Sequence, residues 1–159
     1  MLKKVSKRKA KAGGGCFAIV ASRYNAKYVD AMLRAAKREL TDVGAEEVRV
    51  LRVPGAYEVP VVAAALARQK RWSAIICLGV ILRGATTHAQ HIGEAVSNEL
   101  ARVAMESGVP VIHEVLLLEN EKQAKERCLA GKFNRGLEAA RTALEMARVM
   151  RSLAHNQYE

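Results

Sequence analysis

The sequence predicts an α/β fold, a three-layer sandwich in which a four-stranded parallel sheet lies between two layers of helices. Four short apolar runs are typical of buried strands. Between them lie segments whose apolar residues recur at helical spacing. Strands that alternate with helices are joined by right-handed crossovers, which place helices on both faces of one sheet. The 159 residues suit a single domain with its own core.

Three of the predicted helices have a start or stop signal of their own. Apolar residues at helical spacing run from Val29 to Val43, and they precede Gly44, a residue type that commonly ends helices. Pro60 suits the first turn of the next helix, and Gly108 ends the third. The predicted strands are residues 16–22, 48–53, 74–82 and 109–118, and the predicted helices are residues 29–43, 60–66, 92–105, 121–129 and 136–153.

The positive charge of the chain is concentrated at its start. Lys and Arg number 26 against 16 Asp and Glu, and six of those cations lie in residues 1–12, which contain no acid. The rest holds 20 basic against 16 acidic residues, too small an excess for a dedicated nucleic-acid surface. We therefore expect residues 1–15 to form a basic, flexible tail and residues 16–159 one domain. A solvated tail is favoured over one that binds RNA or an acidic partner, because it has no aromatic for base stacking.

Targeting signals and cysteine usage indicate the compartment. The N-terminal segment lacks the apolar stretch of a secretory signal, and no apolar run is long enough to cross a membrane. Cys16, Cys77 and Cys128 are odd in number and widely spaced, which favours reduced thiols over a disulfide framework. We expect a cytoplasmic protein without a membrane partner.

The most informative stretch is residues 78–88, where an apolar run breaks into small residues and then presents His88. Gly84 and its neighbour allow the backbone to approach an anion closely, and Thr86 or Thr87 can cap the helix that follows. The free N–H groups of a helix start attract phosphate, and imidazole carries protons near neutral pH. The same small residues also fit a turn that needs them for geometry alone.

Candidate functional residues follow all four predicted strands. Tyr24 comes after the first, residues 56–58 after the second, residues 83–88 after the third and residues 118–120 after the fourth. Because the carboxyl ends of parallel strands share one edge of a sheet, the sequence predicts a ligand site at that edge.

An ordered set of motifs resembles the lumazine synthase family over residues 17–153. Those motifs are Ser22-Arg23-Tyr24-Asn25, residues 53–60, residues 79–88, Gly108-Val109-Pro110-Val111, residues 123–127, Asn134-Arg135-Gly136 and Ala143-Leu144-Glu145-Met146. The resemblance implies a transferase of riboflavin biosynthesis that condenses 5-amino-6-(D-ribitylamino)uracil with 3,4-dihydroxy-2-butanone 4-phosphate. Phosphate and water are lost, and neither a metal nor an organic cofactor is implied.

The resemblance also implies which residues hold the uracil substrate. Tyr24 would lie against the pyrimidine ring, where an aromatic face provides dispersion and stacking. Glu58 would accept hydrogen bonds from hydroxyl groups, although by itself it is better explained as an acid at a helix N-terminus. The implied uracil-site residues are Tyr24, Ala56, Tyr57, Glu58, Val80, Ile81, Leu82 and His113.

For the butanone phosphate, the resemblance implies backbone N–H groups of Ala85 and Thr86 and a bidentate clamp from Arg127. Arg135 is an implied accessory residue. His88 would move protons during Schiff-base formation and phosphate elimination. Considered alone, Arg127 fits a surface arginine and His88 a solvent-facing histidine at a helix start.

His88 and His91 also form an H-x-x-H pair that is able to clasp a metal on one helical face. No Glu or Cys in a neighbouring motif completes a ligand set, so we expect no metal site.

Four departures from the family pattern stand out, one of which is Phe133 in place of a small residue near a subunit contact. His113 replaces an aromatic that the family brings from a neighbouring subunit, so stacking area falls and a titratable group enters the site. Ala89-Gln90-His91 replaces an aromatic-acid-aromatic run, which removes a carboxylate partner for His88. Arg135 stands where lysine is usual.

The resemblance implies a homo-oligomer, either a pentamer or a hollow icosahedral shell of twelve pentamers. His88 and the loop at 85–86 would come from one chain, and His113 and Arg127 from its neighbour. Residues 128–135 are compact, which permits the shell without requiring it. The resemblance is also compatible with an association with riboflavin synthase.

Two other hypotheses are compatible with parts of the sequence. One is a catalytically weak shell or scaffold of the same fold whose basic tail binds a polyanion. It is less favoured because it needs none of His88, Arg127 and Glu58. The other is an unrelated flavodoxin-like phosphate-binding protein, which is disfavoured because the predicted strand ends carry no acidic pocket for Mg²⁺.

Overall fold

The computed structural model describes residues 14–155, so the basic stretch in residues 1–12 lies outside the described part of the chain. The strands are β1 (Cys16–Ser22), β2 (Glu47–Val53), β3 (Ala74–Leu82) and β4 (Val111–Leu118). The helices are α1 (Ala26–Asp42), α2 (Val59–Ala67), α3 (His88–Ser107), α4 (Glu121–Cys128) and α5 (Arg135–His155), with short 3-10 turns at Ala56–Glu58 and Gly131–Phe133.

All four strands are parallel and follow the order β2-β1-β3-β4. One core lies between the sheet and α1, α4 and α5, and a second lies between the sheet and α2 and α3. The predicted α/β class and the three-layer, flavodoxin-like sandwich are therefore confirmed. Among the helices of residues 14–155, none has the length and apolar character needed to span a bilayer.

Several element boundaries differ from the sequence-based expectation, and two of these differences have a clear physical cause. Helix α3 begins at His88 rather than at residue 92, because only Ala89 of its first turn is buried and the apolar periodicity starts later. Strand β4 begins at Val111 rather than at residue 109, since Pro110 has no N–H to donate to the sheet. The Pro110 carbonyl still accepts a hydrogen bond from Ile75 at 2.8 Å.

The predicted threonine cap of α3 is formed only in part. Thr87 occupies the N-cap position, but its side chain makes no capping hydrogen bond. Its hydroxyl instead lies 3.4 Å from Nε2 of His91. Thr86 Oγ1 accepts the N–H of His88 at 3.4 Å, so the residue before the cap position satisfies one free donor.

Helix α5 crosses α1 at Gly136, where the two backbones nearly touch. A Cβ atom at Gly136 would lie 2.0 Å from the Met32 carbonyl oxygen. Asn134, just before α5, is buried; its Oδ1 accepts the N–H of Gly136 at 2.8 Å, and its Nδ2 donates to the Cys128 carbonyl at 2.7 Å and to the Ala31 carbonyl at 3.3 Å. One side chain thereby ties together the start of α5, the end of α4 and the middle of α1.

We predict that Gly136→Ala lowers the free energy of unfolding by about 3 kcal/mol, the upper end of the usual cost of overpacking. The added methyl meets backbone rather than a flexible side chain, so α1 and α5 must separate. Urea unfolding at a fixed protomer concentration measures the change.

Gly93→Ala in α3 is the matched control. There a Cβ would lie 3.5 Å from the nearest atom, Cδ2 of Leu117, which is ordinary contact. Alanine has the higher helix propensity, so we expect stability to rise by up to about 1 kcal/mol. Equal effects of the two substitutions would refute the close-crossing explanation.

Candidate active site

A cavity of about 800 Å³ lies at the carboxyl edge of the sheet, where the sequence predicts a ligand site. It collects eight residues that the family resemblance implied as site residues: Tyr24, Ala56, Tyr57, Glu58, Val80, Ile81, Leu82 and His88. Its other lining residues are Asn25, Gly55, His91, Ile92 and Ala95.

The end of β1 is held beside the end of β3 by Asn25. This residue adopts a left-handed conformation with φ of 59°, and its Nδ2 donates a hydrogen bond to the Val80 carbonyl at 2.7 Å. The N–H of Tyr24 donates to the Pro54 carbonyl at 3.0 Å, which ties the same loop to the segment after β2. These hydrogen bonds bring the three strand ends together around the cavity.

The Tyr24 ring packs against the backbone of Gly55. A Cβ atom at Gly55 would lie 2.9 Å from two carbons of that ring, so a larger residue would displace the ring. The side chain of Tyr24 is 66% exposed, and that of Tyr57 is 63% exposed. Two aromatic side chains with much of their surface uncovered at one cavity suit a flat ligand.

Glu58 has a structural role in the isolated chain. Its Oε2 accepts the N–H of Gly55 at 2.9 Å, and its own N–H donates to the Gly55 carbonyl at 3.2 Å. This reciprocal pair closes the turn ahead of α2 and matches the interpretation of Glu58 as an acid at a helix N-terminus. A carboxylate has further acceptor sites, so the geometry is also compatible with a contact to ligand hydroxyls.

Two histidines of the first turn of α3 line the same cavity. His88 and His91 are three residues apart, a spacing that places them on one helical face. Sequence reasoning considered His91 only as a metal ligand and missed its place in this cavity. Within residues 14–155, no cluster of three or more His, Cys, Asp or Glu side chains is arranged to hold a metal ion.

The other predicted site residues do not line this cavity. Ala85 and Thr86 lie in the exposed loop before α3, and Arg127 is exposed on α4. Arg135 binds the carboxylate of Glu114 through two hydrogen bonds, of 2.8 and 3.1 Å. Burial raises the pKa of Glu114, whereas the hydrogen bond and the positive charge of Arg135 oppose that change.

His113 projects from β4 rather than into the cavity. Its Nε2 lies 2.8 Å from Oγ of Ser97 on α3, and its Nδ1 accepts the N–H of Val115 at 3.1 Å. Partial burial lowers the pKa of His113, although the residue keeps an exposed surface in the single chain. Within one chain, therefore, His113 does not line the cavity that contains the other residues predicted to bind the uracil substrate.

Asn25 and Gly55 are further cavity residues that sequence reasoning did not select. Both stand inside or beside motifs that were quoted for the resemblance, and each carries a signal of its own. An Asn just before a helix start is a common left-handed residue, and a Gly after Pro54 favours close approach. Ile92 and Ala95 lie one and two turns into α3, where the helical period predicts the cavity-facing side.

Comparison with known proteins gives one family for this chain. Residues 14–151 match the family described as 6,7-dimethyl-8-ribityllumazine synthase. A protein of that name from Xylella fastidiosa (strain 9a5c) is 42% identical over 142 residues, which cover 88% of this chain and 92% of the relative. Another from Desulfotalea psychrophila is 41% identical over 145 residues, covering 90% and 94%. A third, from Stenotrophomonas maltophilia, is 40% identical over 139 residues, covering 86% and 90%. With a match across most of its length, this chain belongs to the 6,7-dimethyl-8-ribityllumazine synthase family.

Proposed function

We propose that this protein condenses 5-amino-6-(D-ribitylamino)uracil with 3,4-dihydroxy-2-butanone 4-phosphate. The products are 6,7-dimethyl-8-ribityllumazine, phosphate and water, in the penultimate step of riboflavin biosynthesis. The observation that carries the proposal is the cavity itself, which places His88 beside two exposed aromatic side chains and a carboxylate. Family membership makes this chemistry the natural use of such a cavity.

The uracil substrate is assigned to the wall formed by the ends of the strands. Tyr24 offers a ring face for stacking, and the backbone of residues 80–82 offers amide groups at the end of β3. Ala56, Tyr57 and Glu58 form the opposite side, with the carboxylate as an acceptor for ribityl hydroxyls.

The butanone phosphate is assigned to the loop before α3. The N–H groups of Ala85 and Thr86, together with the start of a 20-residue helix that has no acid in its first turn, suit a phosphate. His88 then transfers protons as the substrate amine forms a Schiff base and as phosphate leaves. Both steps need a group that accepts and returns a proton, which histidine does near neutral pH.

Part of this site belongs to a second copy of the chain. Arg127, Arg135 and His113 carry the implied contacts to substrate, yet none of them lines the cavity of its own chain. In a ring of identical subunits, the face that carries these residues meets the cavity of the next chain. We therefore propose a homopentamer, with the closed shell of twelve pentamers as its larger assembly.

A shell or scaffold with a polyanion-binding tail is the second candidate. No described feature favours it over the enzyme, and a scaffold has no need of a cavity that holds His88.

We further propose a cytoplasmic location. All three cysteines of the chain lie within residues 14–155 and are free thiols there, which is typical of a reducing compartment: Cys16, Cys77 and Cys128.

The decisive experiment is a product assay on purified protein whose mass is measured by light scattering in the same fractions. We expect a lumazine-type absorbance and fluorescence to appear only when both substrates are present. Assemblies of the expected mass that form no product would favour the scaffold and overturn the proposed enzyme.

His88→Ala should lower turnover by about 100-fold, the low end of the usual contribution of a general acid–base group. A residual rate survives because the two substrates are still held together. Steady-state kinetics measure the effect, and thermal unfolding checks that the variant stays folded. A loss of less than twofold would remove His88 from proton transfer.

Co-expression of His88→Ala with Arg127→Ala tests whether the site is shared between chains. Random mixing pairs an intact His88 with a neighbour's intact Arg127 at about a quarter of the interfaces, so activity should return toward that fraction. Each parent variant alone should be nearly inactive. Mixed assemblies, verified by mass, that recover nothing would show that both residues act within one chain.

Co-expression of His88→Ala with Glu58→Ala is the matched control. Both residues line the cavity of the same chain, so every site in the mixture carries one defect. We expect no recovery in this pair. Recovery here would mean that Glu58 also serves a neighbour, contrary to the geometry of the cavity.

A further inference from the structure

Both ring nitrogens of His113 are hydrogen-bonded within the chain. Nδ1 accepts the backbone N–H of Val115 at 3.1 Å, and Nε2 lies 2.8 Å from Oγ of Ser97. A backbone N–H only donates, so Nδ1 carries no proton in this arrangement. The neutral ring is therefore protonated on Nε2 and donates to the Ser97 hydroxyl. These two contacts fix the tautomer of the ring and its plane.

The same geometry excludes a nucleophilic role for Ser97. A serine 2.8 Å from a histidine nitrogen resembles a nucleophile with its general base. A base needs a free lone pair on Nε2, however, and here that atom is the donor. The other nitrogen meets a backbone N–H instead of the carboxylate that orients a catalytic histidine. Ser97 therefore supports the ring and does not react.

The surroundings of His113 favour the neutral form of its imidazole ring. Cys77 of β3 lies in register with it, and burial raises the pKa of that thiol to about 12, so Cys77 carries no charge at neutral pH. Glu114, the next residue of β4, points to the opposite face and binds Arg135. On α3, the carboxylate of Glu94 accepts a hydrogen bond from the side-chain amide of Gln90 on the same helix. Desolvation is accordingly the cause of the lowered pKa of His113.

We propose that Ser97 is a positioning residue that holds the neutral His113 ring as a flat wall for the uracil substrate bound in the neighbouring chain. The inference rests on the proposed function, because the ring meets substrate only in a site shared between chains. With both nitrogens occupied, His113 contacts the substrate through its ring face and forms no hydrogen bond to it. Protonation at Nδ1 would break the hydrogen bond from the Val115 N–H. The ring is therefore no longer held in place for the substrate as pH falls below the pKa of His113.

Ser97→Ala should raise the KM for the uracil substrate by about 2- to 10-fold, the range that corresponds to one neutral hydrogen bond. We expect kcat and the KM for the butanone phosphate to stay within about twofold of the parent values, because the contact serves only one wall. Ser97 is exposed on α3 and alanine has higher helix propensity, so the variant should fold. Ser97→Thr retains the hydroxyl and should keep the uracil KM within about twofold of the parent.

His113→Phe supplies the background that separates positioning from a general effect on α3. A phenyl ring has no N–H to donate, so Ser97→Ala should change the uracil KM by less than about 1.5-fold in that background. An equal rise in both backgrounds would overturn the proposal, because Ser97 would then act independently of the ring. No rise in the parent background would overturn it as well.

Solid-state ¹⁵N NMR tests the held ring without any substrate. The His113 signals are identified by their loss in the His113→Phe spectrum. We expect the neutral ring to carry its proton on Nε2 and to titrate below the ordinary histidine pKa of about 6.5. A proton on Nδ1, or an ordinary titration, would overturn the positioning role. The expected spectrum from a protein that makes no product would instead refute the proposed function and leave the held ring in place.

Discussion

The cavity depends on the parallel pairing of β1 with β2 on one side and β3 on the other. This pairing brings three carboxyl ends to one edge of the sheet, and the loops that follow them must turn there. Asn25 then fixes the spacing of two of those ends through its hydrogen bond to Val80, and Gly55 leaves room for the Tyr24 ring. The position of the Tyr24 ring at the cavity follows from these backbone constraints.

The position of β4 in the sheet explains why one chain holds only part of the proposed site. Strand β4 is an edge strand, and α4 and α5 follow it directly. Gly136 and Asn134 fix α5 against α1, which leaves Arg135 at the start of α5 beside the buried Glu114. Arg135 therefore lies outside the cavity of its own chain, as its proposed contribution to a neighbouring chain requires.

Strands β1 and β3 were predictable because each is a short, continuous apolar run, and both have the predicted bounds. The start of α3 was not predictable, because its first turn has only one buried residue and therefore shows no repeating pattern of apolar residues. Their positions after strands, together with the family motifs, predicted that several residues share one edge of the sheet. The structure has them in one cavity: Tyr24, residues 56–58 and His88. The pairs Arg135 with Glu114 and His113 with Ser97 join residues 21 and 16 positions apart, and no local pattern predicts such contacts.

His88 and His113 lie in two different environments. His113 has a hydrogen-bond partner on each ring nitrogen, and rotation or protonation of its ring must break at least one of those bonds. For the ring of His88, the described residues provide no comparable pair of bonds, and the side chain is exposed at the start of α3. A group that exchanges protons must gain and lose hydrogens without disrupting its supports, whereas a binding wall must not move. The two environments fit the proposed roles, which are proton transfer for His88 and a fixed, neutral surface for His113.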